Sequence, residues 1–304
     1  MNGLPAAARQ RIDRQASSGV RSSLFSAPAT AAALSAGLVP VGEVFGCLVM
    51  NLGWSGSGCG WYGPLSYSST SLSGGFAQPA SSPVVTSGRG GRYSGMSPYV
   101  RAIEAAWAGA LQRMLAEAKA LGAHGVVGIR IERKPIDNQA WEFTALGTAV
   151  RSTDPVVAPH LPDGGVWSTD LSAEDTASAI LSGFIPHEIL LGLSVATKHE
   201  DWLLRTQRMG WDNQEVEGMT MLIQAARHEA RARLESRASH SGGAQLVVTQ
   251  VDLYEFETAC SGEAHDFHAE AMFVGTTLTQ VPRFRTPATS HVLTVLPLRD
   301  SARF

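Results

Sequence analysis

Cysteine is scarce in this sequence: Cys47, Cys59 and Cys260 are scattered and odd in number. Such a set is no disulfide framework, and it fits a reducing compartment. Excess base is missing too. Lys and Arg total 24 against 27 Asp and Glu, a net charge of −3, so bulk attraction to nucleic acid or an anionic membrane is not expected. No apolar run approaches the roughly 20 residues of a membrane helix. The opening stretch MNGLPAAARQRIDRQASSGVRSS lacks the apolar core of a signal peptide and reads as a flexible arm over residues 1–25. Motifs of catalysis are absent as well: there is no G-x-S-x-G elbow, Walker loop, H-E-x-x-H or dinucleotide fingerprint. An enzymatic reading is left only a site assembled between subunits. The expectation is a soluble, cytoplasmic, non-enzymatic protein.

What the sequence has is an internal echo. GLVPVGEVFGCLVM begins at Gly37 and GFIPHEILLGLSVA at Gly183, 146 residues further on. The match runs upstream without a gap, placing Ser26, Ala33 and Gly46 on Ser172, Ala179 and Gly192. Each copy predicts a short helix capped by serine and stopped by glycine, then a strand. The copies then diverge. Residues 51–97 are glycine- and serine-rich and read as a long mobile loop, whereas TKHEDWLLRTQRMGWDNQEVEG is charged, tryptophan-bearing and reads as ordered.

Both lead into a long helix. In SPYVRAIEAAWAGALQRMLAEAKALG, Ser97 is the expected cap, Pro98 suits the first turn, and Ile103, Trp107, Ala110, Met114 and Ala118 form an apolar stripe. The second helix, roughly 218–238, repeats it with Leu222, Ala226, Ala230 and Leu234. Alternating hairpin strands follow each helix. Pairing Val126-Val127 with Val247-Val248 leaves the later alternation one residue out of phase, which a bulge or a misplaced gap would account for. The fold class is therefore α+β: tandem two-layer β-α-β-β domains, each with a short N-terminal helix and a sheet under one long helix. The domains span 26–151 and 171–281, with a linker at 152–170 and a tail at 282–304. Three strands under one helix leave a bare face and open edges, which calls for a partner.

PVGEVFG, ALGAHGVVGI and WEFTALGTAV together resemble the YbjQ-like family, whose name carries a proposed heavy-metal-binding role. The resemblance covers 26–150 and, more loosely, 172–281. It implies a small α+β, dodecin-like bacterial domain that associates as rings, commonly pentamers, and it brings no catalytic set. The implied function is a homo-oligomeric ring or shell-like assembly, with a heavy-metal-binding or metal-responsive module as the alternative.

For that alternative the candidate ligands are Cys260, His265 and His268 in CSGEAHDFH, a sulfur and two imidazoles suited to zinc or copper. In a regular strand, however, His265 and His268 point to opposite faces. Cys47 and Cys59 lie twelve apart with no nearby histidine, unlike any standard zinc spacing. His124, just beyond the first long helix, sits where a cation suits the helix dipole. Trp54, Trp61 and Tyr62 in the 51–97 loop are the candidate contacts for a protein partner. SGRGGRYSG is a lone arginine-glycine segment in an acidic chain, and no nucleic-acid partner is expected.

Overall fold

The computed structural model describes residues 6–18, 22–53, 82–88, 96–155, 157, 164–260 and 264–281. The mixed α+β architecture expected from the sequence is present as two four-stranded sheets with long helices on them. In chain order the elements are α1 (Ala6–Ser18), α2 (Ala27–Ser35), β1 (Leu38–Asn51), β2 (Val84–Thr86), α3 (Ser97–Ala120), β3 (Gly125–Pro135) and β4 (Ala140–Ser152). There follow β5 (Trp167–Ser168), α4 (Ala173–Leu181), β6 (Phe184–His199), α5 (Trp202–Met209), α6 (Glu217–Ser241), β7 (Gln245–Ala259) and β8 (His265–Gln280). One sheet runs β1-β4-β3-β5 and the other β2-β6-β8-β7.

Local chemistry explains the element ends. Ser26 accepts the amide of Ala29, and Ser172 that of Asp175, so each short helix opens on a serine cap. Gly37 and Gly183 follow those helices with φ of 72° and 87°, a conformation that a side chain disfavours. The expected cap of α3 is different. Ser97 is already helical, and its hydroxyl donates to Ser87 O at 2.6 Å; Met96 holds the cap position without a side-chain bond.

Each long helix lies close on its sheet because a glycine lets it. Cβ atoms on Gly46 and Gly192 would stand 1.9 Å from Ala110 O and 2.1 Å from Ala230 O. Ile103, Trp107, Ala110 and Met114 of α3 bury against Val44, Phe143 and Ala145. Leu222, Ala226 and Ala230 of α6 bury against Ala196, Ala269 and Ala271. The first core continues into the second sheet. Ile189, Leu191, Leu193 and Val195, on the face of β6 turned from α6, join the α3 cluster. The second sheet is thus covered on both faces along β6.

The ladder settles the phase of the hairpins. Val127 stands opposite Thr148 and Val247 opposite Thr276, with a register shift after each. The equivalent residue of Val127 is therefore Val247 and not Val248, and the phase slip came from matching Val-Val to Val-Val.

Three short elements depart from the expected plan. β2, from the 51–97 stretch, pairs antiparallel with Ala196–Lys198 of β6, adding to the second sheet. β5, inside the expected linker, pairs parallel with Gly125 and Val126 of β3. The 1–25 arm carries helix α1, whose Arg11 bonds Glu117 of α3 at 2.7 Å. These pieces are short or polar, so hydrophobic periodicity carries no trace of them.

Candidate functional site

The helices do more than cover the sheets; they cap two of their edges. An antiparallel strand turns its main-chain groups alternately toward one neighbour and the other. In β1 the outward groups include Phe45 N, which donates to Glu117 Oε2 at 3.0 Å, and Cys47 O, which accepts from Arg113. In β6, Arg233 donates to Leu193 O at 3.0 Å and Arg237 to Leu191 O. Ser87 N bonds Val195 O at 2.8 Å just before β2 takes over. Glu104 of α3 pairs with Arg237 at 2.8 Å, tying both helices at this edge.

Among the described residues no helix side chain covers β7 in this way. Cys260 N donates to Ala264 O at 2.9 Å, which directs Thr258, Phe256, Tyr254, Asp252 and Gln250 at β8. The N–H and C=O groups of Val251, Leu253, Glu255 and Glu257 then point away from the sheet, and among the described residues nothing bonds them. Val248, Val251 and Tyr254 are 42%, 51% and 52% exposed. A long edge left open, with exposed apolar side chains beside it, is a template for strand addition.

A second exposed surface is α5. Asp201 caps it through the amide of Leu204, Leu204 buries, and Trp202 stands 75% exposed with Trp211 just beyond fully exposed. The expected partner contacts Trp54, Trp61 and Tyr62 lie outside the described residues, as does Cys59.

The expected metal ligands are not brought together. His268 is buried; its Nδ1 pairs with Thr197 Oγ1 and its Nε2 with Thr258 Oγ1, each at 2.9 Å, and burial lowers its pKa to about 4. His265 lies half-exposed at the start of β8 with Nδ1 4.0 Å from Glu257. Cys260 instead meets His199 and Asp266, the three donor atoms lying within 4.8 Å of one another. His199 Nδ1 is 2.7 Å from Asp266 Oδ1, because register sets the two residues opposite each other. Cys260, however, is disulfide-bonded, which also departs from the reduced cysteines expected. A disulfide sulfur is no thiolate donor, so a metal ion does not fit the disulfide form of this cluster.

Cys47 half-buries on the outer face of the first sheet, with Sγ 3.2 Å from Glu142 Oε1; burial and that carboxylate raise its pKa to about 11. At that pKa little of it is thiolate near neutral pH, so this environment does not favour a nucleophile. His124 is not the expected cation: burial and Arg151 lower its pKa, and its Nδ1 accepts from Ser152 N. A groove of about 420 Å³ between β2 and α6 is lined by Ser82, Thr86, His228 and Glu229. Its serine is occupied, donating to His199 O and lying 3.0 Å from the Lys198 ammonium.

Residues 82–153, from just before β2 to just past the end of β4, match the model of the YbjQ-like family described as "Putative heavy-metal-binding". Over 140 residues, 45% of the chain, the sequence is 34% identical to the Encapsulin nanocompartment protein Rv1762c of Mycobacterium tuberculosis. The matched stretch spans about half of that relative's length, 53%. No helix among the described residues is long and apolar enough to cross a membrane.

Proposed function

We propose that this protein is a non-enzymatic, self-associating component of a homo-oligomeric ring or shell-like assembly in the cytoplasm, built from two tandem YbjQ-like units. One observation carries the reading: the main-chain edge of β7 is open while those of β1 and β6 are capped by helix side chains. The similarity to a protein named for a nanocompartment supports it. Capped edges hinder growth at those borders, and the open edge of β7 offers a place for a further strand. Trp54, Trp61 and Tyr62 of the 51–97 stretch, with Trp202 and Trp211, serve a protein partner of the assembly. Sedimentation of the full chain tests the reading. A particle of several subunits, such as a pentamer or larger ring, is the expected result, and a monomer across the micromolar range overturns it.

A second reading, a metal-binding module, is favoured by the meeting of His199, Cys260 and Asp266 from three strand ends. In the reduced protein a thiolate, an imidazole and a carboxylate suit zinc or copper. Elemental analysis of reduced protein purified without a nickel column decides. Stoichiometric metal that is lost in His199→Ala supports the module, and its absence sinks it.

A further inference from the structure

We propose that β7 pairs antiparallel with β7 of a second copy about a two-fold axis, fusing two four-stranded sheets into one continuous sheet; the inference rests on the self-association reading and names its contact. The outward N–H and C=O groups of Val251, Leu253, Glu255 and Glu257 need a strand whose own outward groups are available. Among the described residues the other borders do not supply one of matching length. β1 and β6 are capped by Arg113, Glu117, Arg233 and Arg237. β3 gives Gly128 N and Ile129 N to Leu171 O and Thr169 O, and it ends at Pro135. The strand in a second copy that matches β7 in length and openness is β7 itself. A two-fold contact of this kind uses one patch twice, so it joins copies in pairs, and a larger particle forms where a second contact links those pairs.

Charge narrows the register. β7 carries Asp252, Glu255 and Glu257 and no Lys or Arg. Like charges directly opposite are unfavourable, so an axis through Asp252 or Glu255 is disfavoured. An axis through Leu253 sets Val251 against Glu255 of the second copy and Asp252 against Tyr254, with no acid facing an acid. It also brings outward-pointing groups opposite one another, as a hydrogen-bonded pair demands. Half-exposed Val251 and Tyr254 then lose water on the two faces of the joint. The residual acidity of both strands gives this contact a sign: added salt screens it and tightens the pair, whereas a basic partner strand would be released by salt.

Two substitutions test the contact in the full chain. Glu255→Pro removes an outward N–H without touching the bonds from β7 to β8, and Val251→Lys adds charge at an exposed position. Light scattering is expected to show the particle mass falling by at least half in both, with unchanged circular dichroism, and salt from 50 mM to 500 mM raising the wild-type particle mass. Independent of any variant, amide exchange over residues 250–258 is expected to slow at least tenfold between dilute and concentrated wild type. Unchanged mass in folded variants, or exchange that does not respond to concentration in a protein that still assembles, overturns the β7 contact and leaves self-association standing. A wild-type monomer at every concentration overturns both.

Discussion

Gly192 of β6 meets the backbone of Ala230 on α6 so closely that a Cβ there would lie 2.1 Å from the alanine carbonyl oxygen. Leu234, one turn further along α6, stands within 2.8 Å of the same point, so neither helix nor strand can yield without moving the core. Gly192→Ala is therefore an overpacking substitution, expected to cost about 1–3 kcal/mol or more. Chemical denaturation of the purified variant, read as a lower midpoint at unchanged slope, checks the figure. Gly46→Ala, against Ala110, should behave alike.

His268 makes stability depend on pH. Burial holds its folded pKa at about 4, below the 6.5 of an unhindered imidazole. The unfolded chain therefore takes up a proton first, and stability present above pH 6.5 is lost progressively as pH falls toward 4. The full effect is on the order of 3 kcal/mol. Unfolding midpoints measured from pH 7 to pH 4 should slope downward in the wild type, and the slope should flatten in His268→Gln.

Asp201 acts in a lower window. Desolvation raises its pKa, but Lys198 and the amides of Leu204 and Ser82 together outweigh that and hold it below 3.8. The stability it contributes is present above the unfolded value and disappears as pH drops through the lower folded value. Asp201→Asn should remove this acid-side step, leaving Lys198 buried without its carboxylate. A loss of about 3–5 kcal/mol at pH 7 is expected from such a broken buried pair, measurable by urea unfolding.

Trp211 is fully exposed beyond α5. Trp211→Ser should leave the unfolding free energy within about 0.5 kcal/mol of the parent. A larger loss in a thermal melt would mean that the residue packs, and would remove it from the proposed partner surface.

How far the fold was legible depended on whether a residue acts through a repeated pattern. Ser26 and Ser172 announce their caps, and the alanine stripes of α3 and α6 announce close packing, because helix chemistry is local. The central glycines Gly46 and Gly192 were visible as a pair, but their reason, a helix carbonyl pressed on the strand, appears only in three dimensions. β2 and β5 pair for two or three residues, too few for any periodicity to register. The candidate site was less legible still. Cys260, His265 and His268 are close in sequence, yet strand alternation sends the two histidines to opposite faces. His199 reaches Cys260 because β6 and β8 align it with Asp266, a long-range register that local spacing cannot express. The edge caps Arg113 and Arg233 look like ordinary surface arginines until their carbonyl partners are seen.

β2 has one more consequence. It lies between β1 and α3 in sequence yet lines up on Lys198 of β6, whose ammonium also holds Ser82 O at 2.6 Å. A fragment cut to begin at residue 164 would lose that strand and leave a lysine stranded with only Asp201 to answer it. The halves are laced, not merely adjacent: the second sheet borrows β2 from the first half, and the first sheet takes β5 from the segment between them.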